Sequence, residues 1–255
     1  MILRWLLLLR ASEVAISTAA AARLFLVSSF VGSFLPAGVG GDAARAYGLT
    51  RVASTGSEAL ASVAVDRVLG VLALLALGVV GFLVWSPHAA TDWRAPVAIT
   101  LLATACVAAF WTDRLVRVVL PLSLHGTVVG RRVLAVGDAV SRYRDRPAAV
   151  LHVMAWSIVV QLLRVAQAYL LGLGLGLAVP LGYYLVFMPI GLLMLLLPVS
   201  ISGFGLPQGV IVWLLRPMGV ADERSFALST LIVLTGLAGN VPGLFLWLRQ
   251  RREIL

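Results

Sequence analysis

Apolar residues dominate the chain in long runs, and the lengths of these runs predict its helices. A helix of about 20 apolar residues crosses the hydrocarbon core of a bilayer. The first nine residues, MILRWLLLL, are too few to cross, so we expect a short helix packed on its neighbours or the end of a longer helix. A signal peptide fits less well, because no small-residue cleavage site follows. Four longer runs are predicted transmembrane helices: residues 58–85, 95–111, 150–173 and 226–248.

Two further apolar runs end in interruptions that resemble each other. In each, a Leu-Pro pair is followed after four residues by glycine. Paired interruptions in two halves of a membrane protein point to a binding site near the bilayer midplane. We predict that each run turns back as a re-entrant helical hairpin, with two full crossings as the alternative for the second. The interruptions are Leu35-Pro36 with Gly41, between segments 14–34 and 42–50, and Leu197-Pro198 with Gly203, between segments 182–197 and 204–215.

Arginines cluster in the longest polar segment and in the C-terminal tail, and they predict how the chain is oriented. The positive-inside rule places both regions in the cytoplasm. Counting membrane crossings in both directions from the arginine-rich loop gives two units with opposite orientations. Each unit has the order span, hairpin, span, so the two form an inverted-topology repeat. Helical spacing of apolar and arginine positions in residues 116–146 predicts an amphipathic helix on the inner surface, or else a solvated loop. The expected all-α polytopic domain, 1–255, comprises a first repeat 1–85, a connecting span 95–111, a cytoplasmic loop 112–149, a second repeat 150–248 and a cytoplasmic tail 249–255.

Composition indicates that the chain lies in a lipid bilayer, and it limits the functions that the chain can have. Mean hydropathy is +1.01 and 12% of residues are charged, against roughly 25% in a soluble domain. A net charge of +9 on such a chain indicates contact with anionic lipid heads and not with nucleic acid. The lone Cys106 and three scattered histidines form no metal-ligand pattern, and no nucleotide-binding or nucleophile motif is recognisable. We therefore predict no cofactor, no metal and no catalytic residues.

Charged residues within apolar runs are the candidates for function, because they are costly at membrane depth unless they line a polar cavity or are buried in protein. Asp42 and Arg45 lie one turn apart at the start of a predicted helix, where Asp42 is a helix cap or a ligand-facing group. Asp66 and Arg67 lie roughly 13 Å into a span. Arg45 is a candidate partner for Asp66, and Asp42 for Arg67. Arg164, at the centre of another span, should face the interior.

Two interpretations of these polar residues are open: a structural ion-pair network, or a site for a lipid head group or a proton. Gln161 and Gln167 share a helix face with Arg164. Glycines at the breaks either allow close packing or expose backbone N–H groups to a phosphate. The predicted substrate-binding residues are Gly40, Gly41, Asp42, Arg45, Asp66, Arg67, Arg164, Gly203, Gly205 and Asn240.

Three segments resemble the lysylphosphatidylglycerol synthetase transmembrane family, whose members are also called flippase-like domain proteins. They are SFVGSFLPAGVGGDAARAYGLTR, VDRVLG and LPVSISGFGLPQG. The resemblance implies a polytopic bacterial or archaeal membrane domain that flips lipids or serves glycolipid, polyprenyl-lipid or hopanoid pathways. It carries a role at the site to Gly40, Gly41, Asp42, Arg45, Asp66, Arg67, Gly203 and Gly205.

The chain also departs from that family. Relatives often have GxGxRE in the second motif, whereas Gly205 is followed here by Leu206, Pro207 and Gln208. No aminoacyltransferase domain is recognisable, so we expect no lipid aminoacylation, and the N-terminus is expected to lack a span or more.

Three functional hypotheses follow from the sequence. The first is a flippase in the bacterial cytoplasmic membrane that moves a phosphate-bearing lipid. The alternatives are an accessory subunit of an envelope-lipid pathway and a lipid-linked glycosyltransferase. The predicted partner is a membrane lipid, with a second copy of the chain or an envelope-pathway protein as further candidates.

Overall fold

The computed structural model of the chain describes residues 1–35, 39–52, 55–85, 103–111, 113–114, 117, 127–195 and 204–254. Within these ranges the chain folds into helices and contains no β-strand. The α-helices are α1 (Ile2–Ala11), α2 (Thr18–Gly32), α3 (Val39–Val52), α4 (Gly56–Trp85), α5 (Val128–Ser141), α6 (Pro147–Gly174), α7 (Leu181–Met194), α8 (Leu206–Leu215) and α9 (Asp222–Ile254).

Three of these helices are long and apolar enough to cross a bilayer: Gly56–Trp85, Pro147–Gly174 and Asp222–Arg249. They confirm three predicted spans and extend each by a few residues. The protein is therefore an all-α, polytopic membrane protein. The fourth predicted span, residues 95–111, lies mostly outside the described residues, and its described end includes the 3₁₀ turn Ala109–Trp111.

Helices α2 and α3 form an antiparallel pair, which we call the first hairpin. Gly41 lies against Ser28, and Gly48 lies against Leu24, so the two helices run in opposite directions. The helices have 15 and 14 residues. At 1.5 Å per residue each is about 22 Å long, less than the roughly 30 Å of the hydrocarbon core. Ser17 caps α2 by accepting a hydrogen bond from the N–H of Ala20.

Helices α7 and α8 form a second antiparallel pair, which we call the second hairpin. The Tyr183 hydroxyl donates to the carbonyl of Leu214, and Gly191 lies against Ile211. These helices have 14 and 10 residues. Each is therefore also too short to cross the bilayer alone. The interior of this hairpin is apolar and includes the fully buried Phe187.

Each hairpin packs on the long helix of the opposite half of the chain. Helix α7 packs on α4, and α2 packs on α9. A Cβ atom at Gly81 of α4 would collide with the backbone of Leu185, and one at Gly243 of α9 would collide with the backbone of Leu26. Only glycine permits this approach. The two glycines begin similar pentapeptides, GFLVW and GLFLW, and the final tryptophan of each packs on an aromatic ring of the hairpin.

The short helices α1 and α5 complete this arrangement, α1 packing on α2, α4 and α6, and α5 packing on α4. Trp5, Leu8 and Leu9 of α1 are fully buried, so the first residues form a short helix packed on its neighbours, as predicted. Helix α5 lies within the segment predicted to contain an amphipathic helix. It packs on α4, and the Tyr143 hydroxyl just beyond it donates to the carbonyl of Leu8 at 3.3 Å.

Candidate functional site: a charged cavity between the hairpins

A cavity of about 680 Å³ lies where the two hairpins and the long helices meet. Its lining comes from α1, α2, α3, α4, α6, α7 and α9. A volume in this range is typical of a small-molecule binding site. The lining differs by helix: its arginines and aspartates come from α1, α3, α4 and α6, whereas α7 and α9 contribute mainly aliphatic side chains and, among the described residues, no charge. We call these two sets of helices the charged side and the apolar side of the cavity.

The most buried part of the charged side is centred on Asp66. The Arg4 Nη2 donates to Asp66 Oδ2 at 2.9 Å, and Arg4 Nε lies 2.8 Å from Oδ1 as a second contact of the ion pair. Arg45 Nη1 approaches Asp66 Oδ2 from another helix at 3.3 Å. The Asp66 side chain is 3% exposed. One buried carboxylate therefore lies between two guanidinium groups, and this lowers the cost of burying all three charges.

Asp42 extends this network toward the open part of the cavity. Its Oδ1 accepts from Arg45 Nη2 at 3.0 Å, and its Oδ2 accepts from Arg67 Nε. Five side chains are thus joined by successive ion pairs, and their charges alternate in the order Arg4, Asp66, Arg45, Asp42 and Arg67. Exposure rises along it, from 3% at Asp66 to 21% at Asp42 and 39% at Arg67. Arg67 is thus the member of the network most accessible to a ligand.

Arg45 is held more tightly than the other arginines. Besides its two carboxylate partners, its guanidinium lies 5.2 Å from the ring centres of both Trp5 and Phe25. Aromatic faces stabilise a cation at this distance. Asp42 lies in the first turn of α3, where the helix dipole favours a carboxylate. These contacts fix Arg45 in place, so we assign it a positioning role within the network.

Helix α6 adds a further cation, Arg164, which has no carboxylate partner among the described residues. Arg164 lines the cavity, and among the described residues its charged neighbours are Arg4 and Arg67. Gln161, one turn earlier, is buried, and its Oε1 has no hydrogen-bond partner in the described part of the chain. Gln167, one turn later, donates to Thr235 of α9 at 2.6 Å. The cavity therefore contains donors and acceptors beyond those that the ion pairs use.

The other side of the cavity is apolar and is provided mainly by α7 and α9. Asn240 lies at its edge and donates to Ser33 Oγ at 2.8 Å, which joins α9 to the end of α2. The aliphatic lining includes Leu74, Met188, Leu192, Leu195, Ile232 and Val233. A ligand that fills the cavity would place a charged group against the arginines and hydrocarbon against these side chains.

The structure brings most of the predicted site residues to this cavity. Gly40 and Gly205 do not line it: Gly40 packs against Leu35, and Gly205 precedes α8 with a φ of 113°. Gly203 lies outside the described residues. The residues that line the cavity are Gly41, Asp42, Arg45, Asp66, Arg67, Arg164 and Asn240.

Arg4 is the site residue that the sequence prediction missed. Its helix is too short to span, so its charge was not counted among those at membrane depth. The signal was an arginine three residues into an otherwise apolar helix, next to Trp5. The predicted pairs Arg45–Asp66 and Asp42–Arg67 are both present.

The fold and the cavity together define a class: a polytopic helical membrane protein with an arginine-rich, partly apolar chamber. The family described as the lysylphosphatidylglycerol synthase TM region matches residues 1–243. The chain belongs to this family, and its function is related to membrane lipids. Comparison with curated proteins gave no match. Comparison with solved structures gave no match either.

Proposed function

We propose that the chain is a lipid flippase that moves a phosphate-bearing lipid across the cytoplasmic membrane of a bacterium. The observation that carries the proposal is the division of one cavity into an arginine-rich side and an aliphatic side. A lipid has the same division. Its head group would enter the cavity while its chains remain along the apolar wall and in the bilayer.

The arginines supply the attraction for the head group. Guanidinium groups form bidentate, charge-assisted hydrogen bonds with phosphate oxygens. Arg67, which is partly exposed, and Arg164 would bind the phosphate. Arg4 and Arg45, which are buried against Asp66, would hold the network in shape.

The hairpins would give the head group a path through the membrane. We propose that both are re-entrant, because each of their helices is shorter than a bilayer span. We also propose that they belong to two inverted repeats, 1–85 and 150–248. The equivalent packing of α7 on α4 and of α2 on α9 supports this arrangement. Lipid would then pass between two halves that move against each other.

The same geometry supports transport over catalysis. A glycosyltransferase needs a carboxylate or a metal at the reacting group. Asp42 and Asp66 are both engaged in ion pairs with arginines, which occupy their oxygens. The translocation experiment described next distinguishes a flippase from an accessory subunit that does not transport lipid.

Translocation in proteoliposomes tests the proposal. Purified protein is reconstituted with acyl-chain-labelled phosphatidic acid or phosphatidylglycerol, and the loss of fluorescence on adding external dithionite reports the fraction that has crossed. Arg67→Ala should reduce the rate about tenfold or more, because it removes a charged hydrogen bond to the phosphate. Arg131→Ala, on the exposed face of α5, should leave the rate unchanged. Full activity of Arg67→Ala, or no acceleration by the unaltered protein, would contradict the proposal.

A labelling experiment tests the re-entrant hairpins separately. In a Cys106→Ser background, single cysteines replace Ser17 and Thr50 at the ends of the first hairpin, and Leu181 and Ala221 at the ends of the second. All four positions are exposed. A membrane-impermeant maleimide should label the first two from one side of the membrane and the last two from the other. Labelling of Ser17→Cys and Thr50→Cys from opposite sides would show a full crossing and rule out the first hairpin.

A further inference from the structure

The charges that line the cavity do not balance. Four arginines and two aspartates contribute to the lining, an excess of two positive charges from side chains among the described residues. The excess has two sources. The alternating network contains three arginines and two aspartates, so it has one positive charge more than negative ones. Arg164 adds the second, because it has no carboxylate partner among the described residues. Like charges close together in a protected site are unfavourable unless an anion joins them.

Several groups are also arranged to hold such an anion. Arg164 lies with Arg67 and Arg4 around the same space. One turn before Arg164, the buried Gln161 presents a carboxamide oxygen without a partner among the described residues. Its Nε2 donates to the carbonyl of Gly70 in a long hydrogen bond of 3.5 Å, and a half-turn of the amide would exchange that bond for one to an anion.

Resting on the proposed function, we infer that the cavity selects a lipid whose head group is a terminal phosphate with close to two negative charges. A phosphomonoester carries about −1.5 to −2 at pH 7, which matches the excess. A phosphodiester linked to an ammonium group carries no net charge, and the cavity has no free carboxylate in the described residues to receive that ammonium group. The aliphatic wall separates a lipid phosphate from free phosphate, because only the lipid gains by burying hydrocarbon.

Amphiphiles with one chain and different head groups test this inference. The probes are dodecyl phosphate, dodecylphosphocholine, dodecyltrimethylammonium and inorganic phosphate. Their dissociation constants are measured by native mass spectrometry on the whole chain released from a non-ionic detergent. Dodecyl phosphate should bind at least about tenfold more tightly than each of the other three, as expected for an additional charged hydrogen bond or apolar burial.

Two variants test whether Arg164 binds the phosphate of the ligand. Arg164→Gln should weaken binding of dodecyl phosphate about tenfold while leaving the melting temperature of the ligand-free protein equal or higher, because it removes a cation that lies among cations. Arg131→Gln should change neither quantity. A fall in ligand-free stability of Arg164→Gln with unchanged affinity would show a structural role and overturn the assignment.

The remaining outcomes separate this inference from the proposed function. Equal or tighter binding of dodecylphosphocholine or dodecyltrimethylammonium, with translocation of a labelled lipid intact, would overturn the head-group inference and leave the flippase proposal standing. Inorganic phosphate binding as tightly as dodecyl phosphate would overturn the lipid source of the anion. Absence of binding by every probe, together with absence of translocation, would overturn both.

Discussion

The first hairpin, α2–α3, contributes Asp42 and Arg45 to a charged cavity of about 680 Å³, whereas the second hairpin, α7–α8, contributes aliphatic side chains to that cavity and borders a separate void of about 20 Å³. The void holds roughly one water at most. Both hairpins pair two short helices, and both pack through a glycine on the long helix of the opposite half. The chain thus uses one backbone arrangement for two contributions to the cavity: the first hairpin brings charged residues to it, and the second brings aliphatic residues of α7.

Polar residues in the two hairpins show the same division. In the first hairpin Arg45 joins residues of α3 to α4 through carboxylates. In the second, Gln208 makes neutral hydrogen bonds instead of ion pairs. Its Oε1 accepts from the N–H of Gly205, and its Nε2 donates to Thr230 of α9, both at 3.2 Å. We expect substitutions in the first hairpin to alter lipid handling and stability together, and those in α8, whose described residues do not line the cavity, to alter stability alone.

The largest expected effect comes from the buried carboxylate beneath the first hairpin. Asp66→Asn leaves Arg4 and Arg45 without their shared charge, and breaking a buried ion pair costs about 3–5 kcal/mol. Unfolding of the purified protein in detergent, followed by circular dichroism against temperature and denaturant, measures the loss. Asp42→Asn is the matched control: its partner Arg67 is more exposed and Arg45 keeps Asp66, so its cost should be about 1 kcal/mol or less. Equal losses in the two variants would contradict the burial gradient.

The next largest effect tests whether the two hairpins are supported equally. Gly81→Ala and Gly243→Ala should each destabilise the protein by about 1–3 kcal/mol, because each new methyl group meets backbone of the opposing hairpin. Gly209→Ala on α8 has open space around its Cβ position and should stabilise by about 0.5–1 kcal/mol. A loss confined to one of the first two variants would break the equivalence of the halves.

The smallest expected effects come from two glutamines, one at the cavity wall and one in α8 away from it. Gln208→Ala should cost about 1–2 kcal/mol of unfolding free energy, because the buried Gln208 side chain loses its hydrogen bonds to Gly205 and Thr230, and should leave translocation unchanged. Gln167→Ala, at the cavity wall, is exposed and should cost less than about 0.5 kcal/mol. We expect it to change the translocation rate instead. Slower translocation in Gln208→Ala, together with an unchanged rate in Gln167→Ala, would contradict these two expectations.

The sequence predicted the membrane class and the three long helices because these depend on a local feature, the length of each apolar run. Pro36, Leu197 and Pro198 of the two interruptions lie outside the described residues. The sequence also predicted the pairs Arg45–Asp66 and Asp42–Arg67, since so few charges lie at depth that each has few candidate partners. It missed Arg4, because the position of a short helix depends on its packing against helices distant in sequence. The glycine contacts at Gly81 and Gly243 were missed for the same reason, although the pentapeptides GFLVW and GLFLW that begin with them are similar.

The support of each hairpin by a helix from the other half has a consequence for synthesis in the cell. The first hairpin leaves the ribosome long before α9, the helix that holds it, has been made. Until Gly243 reaches Leu26, Asp42 and Arg45 must be sheltered by α3, α4 and α1 alone or by the insertion machinery. Completion of the last helix therefore closes the fold, and a ribosome that stops before residue 243 leaves an incomplete chain with its charged hairpin unsupported in lipid.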